Sequence, residues 1–155
     1  MSLRLSDELN LNALAAGKIK PKVYSDSHRK KKPVLRERAE QAEVVSWADQ
    51  TTINGYLIGE YLAHIPNEGQ RGPQARKDFI ELGGRKGYPD MTLDIPNRYY
   101  HGLRIEMKAP EPYDSAVTKE QRHWHIKLRE MGYRVEVCKG AEAAKRLIIE
   151  YMQDA

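Results

Sequence analysis

Gly102-Leu-Arg-Ile-Glu-Met-Lys108 alternates apolar and charged residues without a break. Successive side chains of a strand point to opposite faces, so Leu103, Ile105 and Met107 share one side and Arg104, Glu106 and Lys108 the other. The segment reads as a β-strand with one core face and one charged face. Sixteen residues before Glu106 stands Asp90, which closes Gly87-Tyr-Pro-Asp90 and enters a second short strand, Met91 to Ile95, ended by Pro96-Asn97. Pro96 to Gly102 can turn the chain back and pair the two strands. Adjacent strands lie about 4.8 Å apart, and alternate residues of one strand about 6.5 to 7 Å apart, so Asp90, Glu106 and Lys108 can converge on one point. Two carboxylates able to hold a divalent cation, beside an ammonium able to orient a water or help deprotonate it, are the groups that hydrolysis of a phosphodiester needs. Neither half is specific alone, because Pro-Asp commonly marks a turn and Glu-x-Lys commonly decorates a surface.

The flanking elements are legible by period and punctuation. Leu35 to Ala48 holds good helix formers, with Leu35, Ala39, Ala42 and Val45 near one stripe. Tyr56 to Ile65 reads as a strand that Pro66 terminates. Gln74 to Leu82 is a possible short helix before Gly83-Gly84. Thr118-Lys-Glu-Gln121 has the form of a capping box, opening a helix on which Trp124, Leu128 and Met131 recur until Gly132. Tyr133 to Cys138 gives a last strand, with Tyr133, Val135 and Val137 on one face. After Gly140, the residues Ala144, Leu147, Ile148 and Tyr151 form the buried stripe of a C-terminal helix. This order predicts an α/β fold, a mixed β-sheet flanked by α-helices. Residues 1–34 are expected to form a basic, partly ordered N-terminal arm, and residues 35–155 the folded domain.

Composition narrows the partners. The chain of 155 residues carries 26 Lys and Arg against 22 Asp and Glu, a net charge of +4, which suits a polyanion without demanding one. Mean hydropathy of -0.74 and the absence of any apolar run near the roughly 18 residues of a membrane span exclude a transmembrane helix. No signal peptide is visible in the first thirty residues, so a cytoplasmic, intracellular setting is expected. The single cysteine, Cys138, excludes an internal disulfide and the cysteine-pair zinc spacings, and reads as a buried small hydrophobe. His123 and His125 stand two apart on a helix, face different directions and do not make a zinc pair. Arg71, Arg76, Lys77, Arg85 and Lys86 lie in a glycine-rich stretch before Asp90 and are candidates for phosphate contacts. The run Arg29 to Lys32 is either a second phosphate contact or a solvated charge cluster.

The motifs His64-Ile-Pro-Asn-Glu68, Gly84-Arg-Lys-Gly-Tyr-Pro-Asp90, Gly102-Leu-Arg-Ile-Glu-Met-Lys108, Thr118-Lys-Glu-Gln121, Trp124 and Gly132-Tyr133 follow one another in this order. In that combination the chain, from about Glu37 to Tyr151, resembles the VRR-NUC nucleases of the PD-(D/E)xK superfamily, whose fold is restriction-endonuclease-like. The resemblance implies a nuclease dependent on Mg2+ or Mn2+. Asp90 and Glu106 would be its metal carboxylates, the Met107 carbonyl a further ligand, Lys108 the residue that positions water, and Gln121 the active-site glutamine. It also implies a glutamate on the first helix. Glu37, Glu40 and Glu43 all qualify, and Glu37 with Gln41 and Trp47 fits the family spacing best. His64 and Asn67 of the first motif would lie near the nucleic acid. The implied substrate is branched or junction DNA, such as a Holliday junction, cut by a homodimer in replication, recombination or repair, in a bacterial or phage-like setting. A catalytically silent DNA-binding module of the same fold is the alternative, and no residue discriminates DNA from RNA.

Overall fold

The computed structural model describes residues 33–66 and 72–155, with side chains from residue 36 onward. Residues 1–32 of the expected N-terminal arm, with Asn67, Glu68 and Arg71, lie outside the described residues, while Pro33 and Val34 open the first helix instead of closing the arm. Helix α1 (Pro33–Ala48) is followed by a two-stranded hairpin, β1 (Thr52–Ile53) with β2 (Tyr56–Leu57). A 3-10 turn (Ile58–Glu60) then leads into β3 (Leu62–His64). Helix α2 (Pro73–Glu81), strands β4 (Met91–Leu93) and β5 (Leu103–Lys108), helix α3 (Lys119–Glu130), strand β6 (Arg134–Lys139) and helix α4 (Ala141–Met152) complete the order.

The main sheet runs β3-β4-β5-β6, antiparallel at the first two joins and parallel at the last. The parallel join requires a crossover, and α3 supplies it. Leu103, Ile105 and Met107 on β5, with Met91 and Leu93 on β4 and Cys138 on β6, face Val44 and Ala48 of α1 and Ala144, Leu147, Ile148 and Tyr151 of α4. These residues make one buried apolar cluster, the core that holds β5 in the middle of the sheet. The opposite face of β5 lies toward α3, so the sheet has helices on both sides.

Four sequence expectations change. The strand expected over Tyr56 to Ile65 is three pieces, because the 3-10 turn Ile58–Glu60 parts β2 from β3, and β2 folds back on β1 through Asn54 and Gly55, both at positive φ (52° and 85°). Gly59 then passes so close to Asp49 that an added Cβ would sit 2.3 Å from its Oδ1. The buried residues of α1 are Val44 and Ala48, while Ala39 and Ala42 of the expected stripe are exposed. On α3, Met131 is exposed, and His125 joins Leu128 as a buried residue in its place. The charged face of β5 is not on the surface: Arg104, Glu106 and Lys108 are all buried, Glu106 and Lys108 against Gln121 and His125 of α3, and Arg104 between Asp94 and the Tyr133 ring.

Among the described residues no helix is long and apolar enough to cross a membrane.

Candidate active site

The pairing of β4 with β5 ends at Met91 opposite Ile105. Beyond that point β5 continues through Glu106, Met107 and Lys108 against β6 alone. On its open side the Met107 N–H would lack a strand partner, and the Asp90 side chain supplies one: Oδ2 accepts that N–H at 2.8 Å. Asp90 is therefore fixed at the mouth of a fork between two strands. In a strand the N–H and C=O of one residue point to the same side, so the Met107 carbonyl is turned toward Asp90 as well.

Glu106 is fully buried, and Lys108 is 4 % exposed. The Lys108 ammonium donates to Oε1 of Glu106 at 2.9 Å. Gln121 donates through Nε2 to the same oxygen. Its own Oε1 accepts from the Thr118 N–H at 2.8 Å and lies 3.5 Å from the Lys108 Nζ. The Thr118 hydroxyl accepts from the Gln121 N–H, so the capping box is complete. One glutamine thus caps α3 and contacts both Glu106 and Lys108.

Burial, the charge of Glu106 and then that of Glu37 push Asp90 up to about 7, against the opposing pull of the Met107 N–H and the Lys108 ammonium. Crowded, desolvated carboxylates are what a bound cation would neutralise. Among the described residues no three His, Cys, Asp or Glu side chains close around one point. The compact donor set is two carboxylates on neighbouring strands, which suits Mg2+, an ion that takes one or two protein carboxylates and keeps several waters.

The three first-helix glutamates separate by geometry. Glu37 lines a cleft of about 630 Å3 together with Arg38, Gln41, His64 and Asp90. Glu40 instead accepts the Ala141 N–H at 2.7 Å, at the start of α4. Glu43 pairs with Lys145 at 2.7 Å. His64 lies 2.9 Å through Nδ1 from the Asp90 carbonyl and 2.7 Å from Gln41 Nε2, at the wall of this cleft. The face of α1 that holds Ala42 and Val45 is a cleft wall: Ala42 is exposed there, while half-buried Val45 both lines the cleft and packs against the edge of the core.

The glycine of the Gly-Tyr-Pro-Asp stretch has a specific duty. Gly87 has φ +80°, and a Cβ there would lie 2.7 Å from the Gln121 backbone nitrogen. The loop before Asp90 is thereby docked on the first turn of α3. Tyr88 meets Trp124 edge-on at 5.1 Å, and Lys86 pairs with Glu120 at 3.0 Å. Arg85 is exposed, as are Arg76 and Lys77 on α2, where Lys77 lies 3.6 Å from Glu81.

The profile of the VRR-NUC domain family matches residues 28–142. The chain belongs to the VRR-NUC domain family. A solved structure of a VRR_NUC domain protein resembles it with a TM-score of 0.65 at 29% identity, over 77% of this chain and 89% of that one. No curated protein matches the chain. VRR-NUC domains are nuclease-type, DNA-processing domains of the PD-(D/E)xK fold. In this VRR-NUC domain the feature absent from the sequence expectations is His125, whose Nε2 stands 3.8 Å from Oε2 of Glu106. Its signal was its place four residues after Gln121, on the same side of α3.

Proposed function

We propose that the protein is a Mg2+- or Mn2+-dependent endonuclease that hydrolyses phosphodiester bonds of DNA. The observation that carries this reading is the fork itself: Asp90, just before β4, bound to the Met107 amide of β5, and buried Glu106 beside Lys108 on β5. Asp90 and Glu106, with the Met107 carbonyl and Glu37, would hold the cation. When bound, such a cation stabilises charge on the phosphate and lowers the pKa of water. The protein's own part is positional. Gln121 and Lys108 grip one oxygen of Glu106, and Lys108 keeps an ammonium where an attacking water could be oriented. The cleft from Glu37 to Asp90 is open to a strand of nucleic acid. His64 lines it, and Asn67, Arg71, Arg76, Lys77, Arg85 and Lys86 are the further candidate nucleic-acid contacts.

Phosphate contacts position a duplex without reading its sequence, which favours selection by DNA structure. We assign branched or junction DNA as the preferred substrate and a homodimer as the active form, because a two-fold pair of sites can cut two strands symmetrically. The test is a panel of labelled four-way junctions, matched duplexes, single strands and RNA counterparts, incubated with Mg2+ or Mn2+. Junction cleavage by the wild type, lost in Asp90→Ala and Lys108→Ala, is expected. Junction binding without cation-dependent cleavage would favour the silent DNA-binding module, and preferential cutting of RNA would reassign the substrate.

A further inference from the structure

The Glu106 carboxylate is held unevenly. Both donors to Oε1, Lys108 and Gln121, have hydrogen-bond contacts, whereas Oε2 is buried with no hydrogen-bond partner among the described residues. The other unpartnered buried polar atom of this region is Nε2 of His125, and it faces Oε2 at 3.8 Å. His125 is 4 % exposed, so solvent does not explain its placement. A buried polar group left unsatisfied is destabilising, and two such groups facing each other at near-contact distance relieve both penalties by closing slightly.

We infer that His125 is a positioning residue of the site, its Nε2–H donating to Oε2 of Glu106 and fixing the plane of that carboxylate. This deepens the nuclease reading and rests on it. A terminal carboxylate torsion is broad and roughly two-fold, so donors at one oxygen alone leave the plane free to swing. A donor at the second oxygen removes that freedom. The lone pairs also count correctly: an ionised carboxylate offers about four acceptor positions, of which Lys108 and Gln121 occupy two and His125 a third. The last, on Oε2, is left for a cation. Hydrogen bonds of catalytic groups are often long in the free protein and tighten in the working complex, as a 3.8 Å approach would.

The test compares His125→Phe, which keeps ring volume without a donor, with His125→Gln, whose amide nitrogen reaches about where Nε2 stands. Calorimetric Mn2+ titration of the full chain should show affinity falling about 10- to 100-fold in His125→Phe, the usual effect of losing a partner that orients a ligand. His125→Gln should recover most of it. Wild-type affinity in His125→Phe would overturn the inference and leave His125 a packing residue. The nitrogen resonances of the His125 ring in the unmodified protein give an independent readout, valid even if the Phe variant fails to fold. A proton on Nε2 is expected, and a ring carrying its proton on Nδ1 alone would overturn the assignment. Mn2+ uptake that is absent from the wild type, or unchanged in Glu106→Gln, would instead count against the nuclease reading, with the ring tautomer still deciding for or against His125.

Discussion

At the scale of single residues, the site is a balance of buried charge. Lys108 and Glu106 neutralise each other where neither is solvated. Removing one partner of such a pair typically costs about 3–5 kcal/mol, because the other charge is stranded. Lys108→Met should therefore lower stability to urea by about that much, and the double variant Lys108→Met/Glu106→Gln should regain a large part of it. Asp90 works in the opposite direction. Its carboxyl is raised from the ordinary 3.8 to about 7, chiefly by burial and then by Glu106, so the folded protein keeps a proton that the unfolded chain releases. Its contribution to the stability of the cation-free protein is full below about pH 4 and is lost as pH rises toward 7. Melting curves in EDTA from pH 4 to 8 should slope downward for the wild type and flatten for Asp90→Asn; an equal slope in both would contradict the assignment. The meeting of Asp90, Glu106 and Lys108 was legible in the sequence because it is local to two strands, and the capping role of Gln121 because it is local to one helix start; a place for Gln121 in the site was expected only from the family resemblance. His125 was not, since its partner lies on another element.

At the scale of elements, the docking of the Gly87 loop on α3 sets the distance between Asp90 and Gln121. A Cβ at Gly87 meets two obstacles, a positive φ and the backbone of α3, neither of which can yield cheaply. Gly87→Ala should cost on the order of 1–3 kcal/mol and reduce cleavage more than its loss of stability explains. Thr118→Ala should cost about 1 kcal/mol through the lost cap. It should also slow cleavage, because the Thr118 hydroxyl accepts the backbone N–H of Gln121, the residue whose side chain contacts Glu106. Thermal melts and single-turnover rates measure both. The alternation of β5 identified the strand from sequence, but it could not tell that the charged face would be buried as well, under Gln121 and His125 of α3 and the Tyr133 ring. The stripe of α1 misled for a related reason: Ala42 and Val45 are apolar yet line a cleft, so hydrophobic period alone does not distinguish core from groove. The Asn54-Gly55 pair is a hairpin signal that outranks the apolar content of Tyr56 to Ile65.

At the scale of the molecule, a mixed sheet with its core on the α1 and α4 side sets the buried charges of Glu106 and Lys108 against α3 and leaves the cleft of Glu37, His64 and Asp90 along α1. The apolar cluster carries the stability, and the fork between β4 and β5 carries buried charges that the fold alone accommodates poorly. Exposed Arg76, Lys77 and Arg85 lie outside that fork, so their replacement should weaken DNA binding without altering cation uptake. Each lost phosphate contact should reduce the salt slope of DNA binding by about 1. On the proposed function, the fork would hold a cation and cut phosphodiesters with it. The direct test is the rate of cleavage of a labelled four-way junction as Mg2+ is titrated, for the wild type and for Asp90→Asn. A wild-type rate that rises with Mg2+, vanishes in EDTA and falls by orders of magnitude in Asp90→Asn is predicted; a rate independent of both the cation and Asp90 would contradict it.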